Sequence, residues 1–233
     1  MTPPSHSPRR RFLTRLAGGA AALAMGPRFG SLSATEPPPV TPPTSPPAEW
    51  DDSWVRRITA PHRQVFDSPE IEEGVALHQA RTWLLGYREV YNTTDADHNA
   101  VIVIRHAAVP MVMDDATWDR FELGAANDLK DPASGEPARR NPFMNVRPGD
   151  QHSLVWPDGG LDTLMARGAI VVACNLALQR IVRLIRAATP STTREEAQAE
   201  MLAHVVPGVV VMPSGIFAVA RAQEAGCHYI RAG

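Results

Sequence analysis

Residues 167–188, R-G-A-I-V-V-A-C-N-L-A-L-Q-R-I-V-R-L-I-R-A-A, contain a change from a strand pattern to a helix pattern. Residues 169–173 form an unbroken apolar run with β-branched residues at its centre, which is typical of a strand buried on both faces. From Leu176 onward, apolar residues recur at helical spacing with arginines between them. The change falls at Cys174 and Asn175, so the sequence predicts a cysteine at the carboxyl end of a central strand and the amino end of the next helix.

Cys174 therefore has two interpretations. Open α/β sheets place their ligand sites at the carboxyl edge of the strands, and the unpaired N–H groups and dipole of a helix start favour a thiolate over a thiol. A free cysteine is, however, more commonly a small buried core residue. The residues alone leave a reactive thiol and a core side chain about equally supported.

The first residues resemble an export signal. P-R-R-R-F-L-T (residues 8–14), followed by L-A-G-G-A-A-A-L-A, matches a twin-arginine signal, and we assign residues 1–34 to it. Its apolar part is shorter than the ~20 residues that a spanning helix needs. We expect a periplasmic protein that meets the membrane only through this signal; retention of the signal as an anchor is the less favoured alternative.

Composition separates a tether from a domain and disfavours one class of partner. Residues 35–49 are rich in proline and predict an extended linker, which leaves residues 50–233 as one α/β domain. Residues 1–34 hold five arginines and no acidic residue, so their removal leaves 18 basic and 25 acidic residues. No basic stripe interleaved with aromatics remains, and nucleic acid is not an expected partner.

The remaining patterns alternate between strands and helices in the order β-α-β-α-β-α-α-β-α-β. This order predicts an α/β fold of three layers, with a five-stranded, mainly parallel sheet and helices on both faces. Ser68, Pro69 and Glu70 predict the start of the first long helix, and residues 192–195 a capping box. The carboxyl edge of the sheet should gather the candidate site residues Asp67, His106, Cys174, Asn175, Ser214 and Gly215.

The roles of these residues have competing explanations. His106 at the same edge would assist Cys174 as a base or a hydrogen-bond partner; a strand-end histidine bonded to backbone is the simpler alternative. Ser214 and Gly215 at a helix start would hold an anion, although a plain helix cap also explains them. Cys227 begins the last strand, at the opposite edge from Cys174. The two cysteines are therefore too far apart for a disulfide, and Cys227 is expected to be structural.

Several cofactor classes are disfavoured. The sequence has no G-x-G-x-x-G, no P-loop and no C-x-x-C-H motif, and its eight histidines show no metal-ligand spacing. We expect neither a cofactor nor a metal. Residues 124–160 show no sustained period, which is typical of a lid, a binding loop or an interface arm. Within them, Arg140 to Phe143 (R-N-P-F) is predicted to pack on a neighbouring subunit or over the crevice, with Phe143 as the apolar anchor.

A family resemblance is carried by V-A-C-N-L-A-L (172–178) and by V-V-P-G-V-V-V-M-P-S-G-I-F-A-V-A-R-A-Q-E-A-G-C-H-Y-I (205–230). These segments resemble the second half of DsrE/DsrF-like proteins, small α/β domains associated with sulfur relay. I-V-I-R-H-A-A-V-P-M-V-M-D-D-A-T-W (102–118) and R-N-P-F resemble a subgroup of them with export signals. The resemblance covers residues 63–232, apart from the long loop.

The resemblance implies a trimer or a hexamer and a sulfur donor or acceptor protein as partner. It also places Cys174 where the family's sulfur carriers take up persulfide sulfur. Two functions follow as hypotheses. The first is an exported sulfur carrier or thiol protein acting through Cys174. The second is a non-catalytic oligomeric module that binds a small ligand or partner in the crevice.

Overall fold

A single parallel sheet organises the domain. The structure, a computed structural model, describes residues 50–131, 133–150 and 155–233, so the predicted signal and linker lie outside the described residues. The sheet has the order β4-β3-β2-β1-β5, and every pairing in it is parallel. The strands are β1 (His62–Ser68), β2 (His98–Ile104), β3 (Ile170–Cys174), β4 (Val210–Met212) and β5 (His228–Arg231).

Helices connect the strands and cover both faces, which confirms the predicted three-layer α/β fold. None of the described helices is long and apolar enough to cross a membrane. The α-helices are α1 (Val75–Tyr91), α2 (Asp115–Arg120), α3 (Leu123–Ala126), α4 (Leu161–Ala166), α5 (Asn175–Ala188), α6 (Arg194–Ala203) and α7 (Gly215–Glu224). Short 3-10 helices span Ser53–Arg57, Glu72–Gly74, Asp95–Asp97, His106–Val112 and Pro157–Gly159.

The alternation of side chains along each strand divides the core in two. In β2, Ile102 and Ile104 pack into one cluster with residues of α1, α5 and α6. Val101 and Val103 point to the other face and pack with α7 and with Trp54. Because successive strand residues face opposite sides, a strand that is apolar throughout is buried by helices on both faces. The apolar runs in the sequence therefore reflect this sandwich of layers.

Two predicted helix starts and one strand position differ from the structure. Ser68 ends β1, and α1 begins only at Val75, because Glu72, Glu73 and Gly74 have positive φ angles of 36°, 53° and 85° and interrupt the helical path. A Cβ at position 74 would lie 2.5 Å from Cγ2 of Val155, so this turn requires glycine. The capping box joins Thr193 and Glu196, one residue later than predicted. The strand β3 lies beside the edge strand β4, and β2 is the central strand.

The prediction for Phe143 is wrong. Its side chain is completely buried in the core of its own chain, with its ring centroid 6.2 Å from that of Trp118. Asn141, 1% exposed, fixes this segment by donating from Nδ2 to the carbonyl oxygens of Met111 and Met113. The long loop thus supplies core residues of its own domain, and Phe143 has no exposed surface to offer a neighbour.

Candidate functional site

A cavity of about 450 Å³ opens at the carboxyl edge of the sheet, where β2 and β3 end and α5 and α7 begin. Edges of this kind hold the ligand sites of open parallel sheets, since the chain diverges there into helices on either face. Its lining is Arg105, His106, Ala107, Cys174, Leu176, Ala177, Arg180, Arg183, Ser214, Gly215 and Ile216.

Cys174 occupies the predicted position at the floor of this cavity. It is the last residue of β3 and the residue before the first turn of α5, with extended backbone angles. Only 6% of its surface is exposed, and it forms no disulfide. A reactant would therefore reach the sulfur through this cavity, which Cys174 lines.

Arg105 is the residue at the site that sequence reasoning missed. Its Nε and Nη2 donate to Oδ1 and Oδ2 of Asp67 at 2.7 and 2.9 Å, an arrangement with two parallel bonds. Tyr229 also donates its hydroxyl to Oδ2 of Asp67, at 2.9 Å. The hydrogen bonds to Asp67 raise the pKa of Arg105 above its ordinary value, and burial only partly opposes this. Asp67, predicted to bind ligand, is instead 2% exposed and holds Arg105 in place.

Gly215 shapes the site by its lack of a side chain. A Cβ at this position would lie 2.6 Å from Cβ and 2.8 Å from Cδ of Arg105. The arginine stem therefore passes directly against the first residue of α7. Ser214 accepts a hydrogen bond on Oγ from the N–H of Phe217 at 3.1 Å, which is the geometry of a helix cap. Both residues line the cavity, as predicted. Of the two roles considered for Ser214, helix capping and anion binding, the structure shows the hydrogen bond of the cap.

His106 lies at the rim of the cavity. Its Nδ1 is 3.1 Å from Oε1 of Glu70, and its side chain is 71% exposed. Its backbone has a positive φ of 51°, which turns the chain away from β2. Among the described residues, Glu70 is its hydrogen-bond partner, and no hydrogen bond joins it to Cys174. The predicted pairing of these two residues is thus absent from the observed contacts, although both line one cavity.

Asn175 belongs to a second cavity. Its Oδ1 accepts from Nε2 of Gln198 at 3.1 Å and from Nε2 of Gln179 at 3.4 Å. These three amides line a space of about 440 Å³ together with Trp50 and Arg194. Asn175 therefore follows Cys174 in sequence but turns to the other side of α5. The sequence showed where the helix begins, and the direction of this side chain was not visible in it.

The cavity around Cys174 is electropositive. Arg180 and Arg183 project from α5 into its lining, and neither forms an ion pair with a described carboxylate. The amino ends of α5 and α7 add the positive ends of two helix dipoles. An anion is therefore favoured in this cavity over a cation. No group of residues that would hold a metal occurs in the part of the chain that the structure describes.

Comparison with known proteins leaves the family open. No family model matches the chain, and no curated protein matches it. A solved structure, the Protein of Unknown Function MTH1491 from Methanobacterium thermoautotrophicum, is similar over 73% of this chain and 98% of its own length. Its sequence identity is 16% and its TM-score 0.38, a likeness too low to carry an argument about family or function.

Proposed function

We propose that this chain is an exported thiol protein of DsrE/DsrF-like type that carries sulfur as a persulfide on Cys174. One observation carries the proposal: the buried thiol of Cys174 opens onto a cavity lined by three arginines and by the starts of two helices. Cationic surroundings stabilise a thiolate, which is the nucleophilic form of cysteine, and equally a persulfide anion. The resemblance of residues 172–178 and 205–230 to the family supports the same function.

The transfer step is a thiol exchange. The thiolate of Cys174 attacks the outer, sulfane sulfur of a donor persulfide, and a new S–S bond forms on Cys174. The S–S bond of the donor breaks in the same step, and the donor leaves as a thiolate that takes up a proton from water. No external oxidant or reductant is needed, since the sulfane sulfur moves between two sulfur atoms at constant oxidation state.

Cys174, the three arginines and His106 have different roles in the proposed sulfur transfer. Cys174 is the catalytic residue because it bears the transferred sulfur. Arg105, fixed by Asp67, sets a positive charge beside the thiol, while Arg180 and Arg183 attract an anionic donor to the mouth of the cavity. His106 stands at the rim, where a donor protein or molecule would pass it.

Mass spectrometry after sulfur loading tests the proposal. The protein is incubated with glutathione persulfide, desalted and digested, and the peptide containing Cys174 is examined for the added mass of one sulfur atom. We expect the addition in the wild type and in Cys227→Ser, and none in Cys174→Ser. An unmodified Cys174 peptide in a sample whose free glutathione persulfide persists would contradict the sulfur-carrier function.

The second candidate is a non-catalytic module that binds a small anion in the same cavity. It is favoured by the low exposure of Cys174, 6%, beside two arginines without described ion-pair partners. Titration calorimetry with thiosulfate and sulfate on Cys174→Ser separates the two candidates. Binding that is undiminished in this variant, together with an unreactive thiol in the wild type, favours the module.

Export and assembly are further parts of the proposal. Residues 8–24 support transport by the twin-arginine route into the periplasm, and the family resemblance supports a homo-oligomer, a trimer or a hexamer, with a sulfur donor or acceptor protein as partner. The test of export is the double substitution Arg9→Lys and Arg10→Lys, which should retain the protein in the cytoplasm. Periplasmic accumulation equal to that of the wild type would contradict this route.

A further inference from the structure

The outer edge of β5 is the most exposed part of the sheet. All four residues of β5 are exposed, and Tyr229 and Ile230 retain 45% and 40% of their surface. No strand among the described residues pairs with this edge. The opposite edge strand, β4, has three residues and is at least half buried throughout. Exposed apolar edge strands are templates for pairing with another chain, and β5 has neither a proline nor a bulge to prevent it.

The backbone of β5 fixes which groups point outward. The N–H of Ala232 donates to the carbonyl oxygen of Asp67 in β1 at 2.8 Å. Because successive residues of a strand direct their N–H and C=O groups to opposite sides, Ile230 and His228 also face β1. Tyr229 and Arg231 therefore present their N–H and C=O groups to the free edge.

The side chains of β5 fix which face each residue occupies. Ile230 is in register with Phe66, and both line a groove of about 640 Å³ along α1. Tyr229 is in register with Val65 and so lies on the other face, the face of α7. The groove beside Ile230 is lined mainly by residues of α1, and two of these, Val90 and Tyr91, are 70% and 69% exposed.

We propose that β5 pairs with β5 of a second copy of this chain, antiparallel and across a two-fold axis, so that the two sheets become continuous. The axis passes between Ile230 and its symmetry mate, which keeps the α1 face of both chains on one side. In this register Tyr229 of each chain lies opposite Arg231 of the other. Both residues point outward, so they exchange N–H···O=C bonds, and Ile230 forms the close non-hydrogen-bonded pair.

The neighbouring registers of the two β5 strands are less favourable, each for a structural reason. A shift of one residue would place the α1 face of one chain beside the α7 face of the other. A two-residue shift toward the carboxyl end sets Arg231 opposite Arg231 of the second copy, with like charges directly facing. The opposite shift sets Arg231 opposite Cys227, whose N–H already donates to the carbonyl oxygen of Ala222. A second copy is the occupant because it offers the same outward N–H and C=O groups at Tyr229 and Arg231, and because it sets its own apolar groove beside that of the first chain, on the same side of the joined sheet.

The interface is independent of the chemistry at Cys174, because it uses backbone groups of β5 and the side chain of Ile230. It is compatible with a dimer, or with a hexamer in which two-fold contacts join two trimers. A ring of three chains alone has no two-fold axis and would exclude it. The proposal therefore also selects among the oligomers that the family resemblance implies.

Sedimentation equilibrium of the full chain tests the interface. For the wild type we expect an assembly with an even number of chains. Arg231→Pro and Ile230→Lys should each reduce the mass of the assembly to half of the wild-type value or less. Proline at 231 removes an outward N–H and leaves the bonds of β5 to β1 intact, so the monomer should fold. Lysine at 230 places two like charges on the axis. The matched control is Leu202→Lys on α6, where leucine is 44% exposed, and its mass should equal that of the wild type.

Cross-linking provides the independent readout. Ile230→Cys should form an intermolecular disulfide under mild oxidation, because residues in a close antiparallel pair lie within the reach of a disulfide. Leu202→Cys should remain uncross-linked. A monomer at all concentrations, a trimer, or an even oligomer that neither substitution alters would overturn the proposal. So would slow amide exchange at Tyr229 and Arg231 in a monomer, since the edge would then be covered by the chain itself.

Discussion

The two cysteines of this chain lie at opposite ends of one sheet and are equally exposed, at 6% each. Cys174 ends β3 at the carboxyl edge, and Cys227 precedes β5 at the amino edge. Cys227 packs in the apolar cluster beneath α7, and burial raises the pKa of its thiol to about 11, an effect that Arg63 only partly opposes. Cys174 faces arginines and two helix starts. Equal burial thus accompanies very different electrostatic surroundings, and the neighbours decide the chemistry of a thiol.

The largest effect should follow from removing Arg105, the arginine that Asp67 holds at the Cys174 end of the sheet. Arg105→Leu leaves the carboxylate of Asp67, whose side chain is 3% exposed, with Tyr229 as its remaining side-chain partner. Breaking a buried ion pair from one side leaves an uncompensated charge, so we expect a loss of about 3 kcal/mol in the free energy of unfolding. Urea denaturation followed by circular dichroism measures it.

Arg183→Leu is the matched control for this prediction. Arg183 lines the same cavity and is exposed, without a described ion-pair partner, so its loss should change stability by less than about 0.5 kcal/mol. Equal losses in the two variants would mean that the bonds between Arg105 and Asp67 do not anchor the site.

The second prediction contrasts the reactivity of the two thiols directly. A thiol with a pKa near 11 is ionised only to about one part in a thousand at pH 8, which makes Cys227 a poor nucleophile. Cys174 lines a cavity with three arginines, so in the folded protein we expect iodoacetamide to modify it roughly tenfold faster than Cys227, or more. Peptide mass spectrometry at timed intervals gives both rates, and Cys174→Ser and Cys227→Ser assign them. Comparable rates would remove the electrostatic distinction between the two ends.

The difference between the two ends was partly visible in the sequence. The period change at Cys174 predicted the strand, the helix and their junction, because side-chain periodicity reports burial directly. Arg105 was visible only as the residue that closes an apolar strand. Its importance depends on Asp67, which is 38 residues earlier in the chain and comes beside it only because β1 and β2 are adjacent.

Other features depended on directions that periodicity does not encode. Asn175 was predicted at the crevice from its place beside Cys174, but successive residues at a helix start project to different sides, and it joins Gln179 and Gln198. Phe143 lies in a stretch without a period, so its burial had no local signal. The turn at Gly74 and the side chain of Asn141 place it in the core, and both are tertiary constraints.

The third prediction concerns the effect of pH on stability through Cys227. Burial raises the pKa of this thiol from 9.0 to about 11, so the folded state keeps the proton at a pH where the unfolded state loses it. The contribution is fully present below pH 9 and declines as the pH rises toward 11. We expect the wild type to lose about 1 kcal/mol more than Cys227→Ala between pH 8 and pH 10, measured by urea denaturation at each pH. Parallel stability profiles would show that Cys227 is not protected from ionisation.

The smallest effect should come from the arginines at the mouth of the cavity. Arg180 is partly exposed and Arg183 is exposed, so their attraction for an anion is weakened by water and salt. We expect the double variant Arg180→Gln and Arg183→Gln to slow the reaction of Cys174 with dithiobis-nitrobenzoate, a dianion, by about three- to tenfold at low salt. The rate with neutral iodoacetamide should change by less than about twofold, and the difference should vanish near 1 M salt because the Debye length is then about 3 Å.

The control double variant Arg186→Gln and Arg194→Gln removes the same charge from the same region outside the cavity lining. If it slows the anionic reagent equally, net charge and not the cavity attracts the anion, and the electrostatic distinction between the two cysteines rests on Arg105 alone.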